Sequence, residues 1–337
     1  MHLKIYEFDM KLKYPFSISR HTYFSQPTVI IELIHEDFSG YGEATLNPYY
    51  DITIENLKDC FTKMNKRLGD YSFESPDKLY KDFMEFLDMN SFALAALNNA
   101  SWDLFGKMKK TPVSNIIDLQ KKDEPPSSYT LGIDTKDGLL MKMADLPWPI
   151  YKIKAGTDND LDLIKYVRAN TDAILRVDAN CAWELDKTLW LAKELRKLGI
   201  EFIEQPLPAG HPDQEICFEK SVLPLIADES CRKEADVDRC LNRFHGINIK
   251  LLKCGGLTPA IKMVKRAREL GLKIMVGCMT ESSVGISAAS QLIPFVDYVD
   301  LDGPLLLAED VADGVHYEFG KIRLSGKIGV GINCLTK

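Results

Sequence analysis

Five polar residues, Lys154, Asp178, Glu204, Asp228 and Lys250, follow one another at intervals of 24, 26, 24 and 22 positions. Each closes a short apolar run: IYKIK, ILRVD, IEFIE, LPLIAD and INIK. A β-α-β unit takes about 30 residues when both strands are counted, so this repeat is the length of one strand, one loop and one helix. Parallel strands of this kind that close into a barrel bring all their C-terminal ends to one mouth. The spacing therefore predicts three carboxylates and two flanking lysines around a single cavity.

The rest of the second half fits that reading. Eight strand-like runs occur near residues 128–133, 149–154, 173–178, 200–204, 223–227, 246–250, 272–276 and 296–300. Between them lie helical patterns with matching punctuation. Gly199 and Gly271 stand where helices end and strands begin, and Pro259 suits the first turn of a helix. Eight such units predict a (β/α)₈-type α/β barrel. After the last run, Gly303-Pro304 and a turn-rich chain predict that the eighth helix is absent or degenerate.

Residues 1–120 read as a separate α+β unit. Val29 to Leu33 is a β-branched run followed by the turn-rich Asp37-Phe38-Ser39-Gly40, which predicts an antiparallel hairpin. From Ile54 to Met108 the apolar spacing turns helical, most clearly over Phe92 to Phe105. Gln120 to Ser127 reads as a linker into a barrel over 121–310, and 311–337 is expected to return to the first unit.

A net charge of -7 and a pI near 5.5 argue against nucleic acid or an anionic membrane as partner. The opening MHLKIYEFDM carries charges within its apolar stretch, unlike a signal peptide. No run approaches the ~20 apolar residues of a membrane span. Eight cysteines without a CxxC pair read as small buried hydrophobes in a reducing cytoplasm. Homo-oligomerisation is allowed but not specified.

A lone carboxylate at a strand end often only caps the next helix. Three on successive strands, with none of the six histidines on a rung, suit oxygen ligation of Mg²⁺, or Mn²⁺, over zinc. Lys154 and Lys250 bracket the triad and are expected to face each other. Crowding by a cation and a second lysine is expected to pull their pKa toward neutrality, as a general base requires. Lys152 shares the face of Lys154 and could stabilise an oxyanion. Lys253, three residues past Lys250, has at most a minor catalytic part.

Taken together, Lys152-Ile153-Lys154, Asp178-Ala179-Asn180, Glu204-Gln205-Pro206, Asp228-Glu229-Ser230 and the stretch Asn248 to Gly256 resemble the enolase superfamily, within it the muconate-lactonizing-enzyme subgroup. The resemblance implies a modified (β/α)₇β barrel with an α+β capping domain. It also implies that Asp178, Glu204 and Asp228 bind Mg²⁺ and that lysines move the proton α to a substrate carboxylate by way of an enediolate, an arrangement of base and Mg²⁺ already known for such sites. Asn180 and Glu229 would support the site from behind, and Glu281, after the seventh strand, is expected to face the same mouth and to hydrogen-bond within the site or shape the pocket. Asp300-Leu301-Asp302 resembles the DxD by which dipeptide epimerases of this subgroup bind the substrate's free ammonium. Arg20, in Pro15-Phe16-Ser17-Ile18-Ser19-Arg20, resembles the loop arginine that meets a glutamate side chain. The expected activity is epimerisation of a dipeptide such as L-Ala-D/L-Glu, of the kind released in cell-wall turnover.

Other activities remain open on the residues alone. An N-acylamino-acid racemase, an o-succinylbenzoate synthase or a cycloisomerase would keep the metal and lysines but leave Asp300 and Asp302 without an ammonium. A Schiff-base aldolase would use Lys154 or Lys250 as nucleophile without needing three ionised carboxylates. A barrel that only binds metal would have no use for the lysine pair.

Overall fold

The computed structural model describes residues 1–19, 21–86 and 90–336. The chain opens with an antiparallel sheet in the order β1 (His2–Ile18), β2 (His21–His35), β3 (Phe38–Thr45). The β2–β3 hairpin is the one read from the sequence. Strand β1 was not anticipated: its charged alternation (Lys4, Glu7, Asp9, Lys11, Lys13) leaves little apolar signal. It is the edge strand of its sheet, with a further bridge from Leu12 to Leu307, and charge on an edge protects against unwanted pairing. The segment Pro15 to Ile18 is correspondingly strand and not loop. After a register break between Lys11 and Phe16, Phe16 pairs with Tyr23, Ser17 with Thr22 and Ile18 with His21. Arg20 lies outside the described residues.

Helices α1 (Ile54–Leu68), α2 (Pro76–Met84) and α3 (Ser91–Met108) cover the sheet. α3 is buried on nearly every side, as expected of a helix that is apolar all round. It lies directly on β3 because Gly40 and Gly42 have no side chains: a β-carbon there would meet the carbonyl oxygens of Ala100 and Ala96. Backbone cannot yield as a side chain can. Gly42→Ala is therefore expected to cost about 3 kcal/mol, the upper end of overpacking penalties, measured as a lower denaturation midpoint. An unchanged midpoint would mean that α3 can ride away from the sheet.

All eight predicted barrel strands form: β4 (Tyr129–Leu131), β5 (Ile150–Lys154), β6 (Ile174–Asp178), β7 (Ile200–Glu204), β8 (Leu225–Ala227), β9 (Gly246–Lys250), β10 (Lys273–Gly277) and β11 (Tyr298–Asp300). They run parallel in sequence order. A bridge from Ser127 to Val299 and a Ser128 N–H donated to Val299 O at 3.1 Å join the two edges. Helices α4 (Lys136–Asp145), α5 (Asp160–Ala169), α6 (Leu185–Lys197), α7 (Gln214–Lys220), α8 (Leu251–Cys254), α9 (Leu257–Glu269) and α10 (Ser283–Ser290) connect them. Gly199 and Gly271 take φ of +73° and +72°, the left-handed conformation that ends a helix. After β11 there is only a single turn, α11 (Gly303–Leu306), so the eighth helix is degenerate as expected.

The chain finishes in two short antiparallel pairs. β12 (Ala312–Asp313) pairs with the terminal β15 (Cys334–Leu335), and β13 (Val315–Glu318) with β14 (Lys321–Leu324). Nearby, Val113 N–H donates to Gly329 O at 2.8 Å, and Val330 N–H to Asp103 Oδ1 at 2.9 Å.

The sheet unit and the barrel share buried polar contacts. Asn98 and Asn99 of α3 accept from the N–H groups of Thr258 and Leu257 at the start of α9. Glu43 of β3 accepts from Ser282 N–H, Ser282 Oγ–H and Gly285 N–H at 2.6–3.1 Å. It thereby satisfies amides that open α10, where a carboxylate also complements the helix dipole. Among the described residues, no helix is long and apolar enough to cross a membrane.

Candidate active site

Asp178 and Glu204 are the last residues of β6 and β7, and Asp228 follows β8. Strand register places Asp178 beside both Lys154 and Glu204. One oxygen from each of the three carboxylates lies within 4.8 Å of the others, and all three residues are buried. This compact set of hard oxygen donors fits a divalent cation.

Four ammonium groups hold these oxygens. Lys152, 1% exposed, reaches Glu204 Oε2 and Asp300 Oδ2 at 2.7 Å and Asp178 Oδ2 at 3.2 Å. Lys154 meets Asp178 Oδ2 at 2.7 Å, and Lys250 meets Asp228 Oδ2 at 2.8 Å. Lys253 meets Asp228 Oδ1 at 2.5 Å. Seven buried carboxyl groups (Asp178, Glu204, Asp228, Glu229, Glu281, Asp300, Asp302) thus confront four lysines. Protein groups alone leave the cluster three positive charges short if every carboxyl ionises. A divalent cation would supply two of them.

The titration of the cluster reflects that shortage. Burial, then Asp178, pushes the Glu204 carboxyl up to about 7. Burial and Asp300 push Asp302 up to about 6, and burial with Glu43 pushes Glu281 up to about 8. Glu229 is raised by burial and by Asp228. For Asp178, burial acts upward, but Lys154 and Lys152 outweigh it and hold the carboxyl at about 2.

Without a cation at the triad, burial pulls the Lys250 pKa down, but Asp228 and Glu204 outweigh burial and hold the ammonium above its ordinary range. The expected shift toward neutrality considered a second lysine and a cation, but not a carboxylate at hydrogen-bond distance.

Strained backbone accompanies the site. Asn180, Cys181 and Gln205 take positive φ of 44°, 66° and 36°, conformations that cost non-glycine residues energy and collect at functional sites. Asn180 donates its N–H to Asp178 Oδ1 at 2.9 Å, while its own Oδ1 is buried with no partner among the described residues. Gln205 Oε1 accepts from Asp228 N–H and Ser230 N–H, each at 3.0 Å. Asn248 Nδ2 donates to Glu204 Oε1 at 2.8 Å.

At the end of β11, Asp300 and Asp302 differ. Asp300 is already engaged, by Lys152 and by Ser128 Oγ–H at 2.5 Å. Asp302 accepts from Thr130 N–H at 2.6 Å, with Asp300 as its near charged neighbour. Glu281 accepts from Met279 N–H at 2.9 Å and sits under the start of α10. It does not line the cavity.

The cavity above the barrel mouth encloses about 470 Å³. Lys152, Lys154, Lys250, Asp300 and Asp302 form its floor. Phe16, Ile18, His21 and Tyr23 from the β1–β2 hairpin and Pro48–Tyr50 from a short 3₁₀ turn contribute its roof. Sequence reasoning missed Thr130, Ser128 and the Pro48–Tyr50 turn. Thr130 and Ser128 lie on a recognised strand run, so barrel alternation could have found them. The turn carried no comparable signal.

The comparisons with known proteins agree with this geometry. Residues 1–118 match the mandelate racemase / muconate lactonizing enzyme N-terminal domain, and residues 140–336 match the enolase C-terminal domain-like family. The chain belongs to the mandelate racemase / muconate lactonizing enzyme family of the enolase superfamily. It is 46% identical to an L-Ala-D/L-amino acid epimerase of Flavobacterium johnsoniae, over 99% of this chain and all of that protein. The structure of a substrate-liganded L-Ala-D/L-Glu epimerase from Bacillus subtilis superposes with a TM-score of 0.93 at 25% identity, covering 100% of this chain and 99% of that one. A dipeptide epimerase from Methylococcus capsulatus, solved with Mg and L-Arg-D-Lys, gives a TM-score of 0.88 at 29% identity over 98% of both chains.

Proposed function

We propose that this protein is a metal-dependent dipeptide epimerase acting on L-Ala-D/L-amino acid dipeptides, L-Ala-D/L-Glu among them. The observation that carries this reading is the placement of Lys154 on β5 and Lys250 on β9, four strands apart around an eight-stranded sheet, with a carboxylate pair at the end of β11. The relatives named above, two of them solved with substrate or dipeptide bound, support it.

Lys154 and Lys250 would address opposite faces of the α-carbon of the dipeptide's C-terminal residue. One removes the proton and the other returns it, so the configuration inverts. Mg²⁺, with Mn²⁺ able to replace it, would be held by Asp178, Glu204 and Asp228 and would supply Lewis-acid stabilisation of the charge developing on the substrate carboxylate. Lys152 adds fixed positive charge on the floor of the same cavity, where a preorganised ammonium is worth most. Neutralising Asp228 relaxes the pull that keeps Lys250 protonated and brings it nearer the range of a working base. Asn180 and Glu229, which line the cavity, and Glu281 behind it support the reacting groups, and Arg20 would meet the side-chain carboxylate of a C-terminal glutamate. We further assign residues 1–120 to a capping domain, 121–310 to the catalytic barrel and 311–337 to a segment that returns to the cap. A cytoplasmic location suits the eight cysteines, four of which are buried.

Asp302 is the acceptor left for the dipeptide's ammonium, with Asp300 beside it. Removing one partner of a buried charge pair costs about 2–5 kcal/mol. Asp302→Asn, and more so the Asp300/Asp302 double variant, should therefore lose at least tenfold in kcat/KM on a free dipeptide. An N-acetylated dipeptide has no ammonium and should be a poor substrate that suffers less from the change. The test follows the C-terminal α-proton in D₂O by NMR across free and N-acetylated substrates. A wild type that prefers the acylated series would make the protein an N-acylamino-acid racemase instead.

A further inference from the structure

Lys152, Lys154 and Lys250 line the cavity, but Lys253 does not. It is buried, with a side chain 1% exposed, and its three N–H donors are spent on four converging oxygens. These are Asp228 O at 2.6 Å, Asp228 Oδ1 at 2.5 Å, Cys231 O at 3.0 Å and Asn248 O at 3.0 Å. A compact ammonium can serve such a cluster, whereas a planar guanidinium cannot.

The consequence falls on Asp228. Its backbone N–H is held by Gln205 from the β7 side, and its carbonyl by Lys253 from the β9 side. Its two carboxylate oxygens are also told apart. Oδ1 is turned to Lys253 and Oδ2 faces Lys250 at the cavity. Without Lys253, the carboxylate could rotate and the segment Asp228 to Cys231 would lose its anchor to the end of β9.

We propose that Lys253 is a positioning residue for the metal centre: it fixes the rotation of the Asp228 carboxylate and so sets metal affinity without touching substrate. This rests on the reading of Asp178, Glu204 and Asp228 as metal ligands. A lysine that merely stabilised the fold would change the melting temperature and leave the affinity of the folded protein for metal unaltered.

The experiment is a calorimetric Mn²⁺ titration of the full-length protein without substrate, for wild type and Lys253→Met, beside far-UV CD and metal-free melting. Hydrogen bonds behind a metal ligand are typically worth ~10–100-fold in metal affinity. The expected result is a Kd raised by that factor in a folded variant. In an Asp228→Asn background the same replacement should add about twofold or less, because coupled residues do not act additively. A Kd for folded Lys253→Met like that of wild type, or the full loss persisting beside Asp228→Asn, overturns the inference. Should Lys253→Met fail to fold, Lys253→Gln, whose neutral amide ends one atom short of the ammonium position, carries the same titration and the same two outcomes. A wild type that binds Mn²⁺ but epimerises no dipeptide defeats the functional reading alone. An active epimerase whose metal affinity ignores Lys253 defeats this inference alone.

Discussion

Lys154→Ala and Lys250→Ala should each abolish net epimerisation while leaving different residual chemistries. If each lysine serves one face of the α-carbon, as proposed, either loss interrupts the inversion. The expected fall is roughly 100- to 10,000-fold, the usual weight of general acid–base catalysis. The remaining lysine still faces one epimer. In D₂O, each variant should exchange the α-proton of one configuration and leave the other untouched, with the preference reversed between the two variants. NMR of the separate epimers reads this directly. A variant that epimerises at the wild-type rate would remove its lysine from the mechanism. A borohydride-trapped adduct between either lysine and a carbonyl substrate would point to Schiff-base chemistry.

Metal removal is the second large effect. Chelation should reduce activity to background, and Mg²⁺ or Mn²⁺ should restore it. Asp178→Asn, Glu204→Gln and Asp228→Asn should each weaken metal binding, but their effects on stability should differ. Asp228 is the carboxylate partner of both Lys250 and Lys253, so its neutralisation leaves two buried ammonium groups without their anion. Breaking a buried ion pair in this way costs about 3–5 kcal/mol. Glu204 shares Lys152 with Asp178 and Asp300, so Glu204→Gln would still leave that lysine two anions. Metal-free melting should therefore rank Asp228→Asn well below Glu204→Gln. Full activity in excess chelator, with no metal in the purified protein, would end the metal-centred reading. Equal melting of the two variants would show that the lysines redistribute freely among the carboxylates.

The barrel was legible because its signal is redundant. Eight apolar runs recur at a spacing that only a strand–helix repeat explains, and polar residues end the runs where the mouth must be. The triad followed from the same register. Strand β1 was not legible because an edge strand with charge at alternate positions looks like a polar segment. The contact of Lys250 with Asp228 was not legible because sequence spacing places a lysine at the mouth without saying which carboxylate it will touch. Asp300 raised the same difficulty: its partner Lys152 lies 148 positions away. Lys253 looked incidental because the four oxygens around its ammonium converge only in three dimensions. The Pro48–Tyr50 turn gave no warning, since cavity roofs need shape more than any particular residue type.

The carboxylate of Glu43 crosses from β3 to the amides that open α10, beside the loop after β10 that carries Glu281. The helix has its own cap, the Ser282 hydroxyl that accepts from Val284 N–H, but the amides of Ser282 and Gly285 take their acceptor from the first 45 residues of the chain. Such a barrel is not an interchangeable cassette. Exchanging caps between relatives to graft a new side-chain preference would succeed only where the incoming sheet presents an acceptor opposite Ser282. Glu43 and Ser282 thus form a compatibility tag, which constrains how freely new roofs can be placed over the same proton-transfer floor.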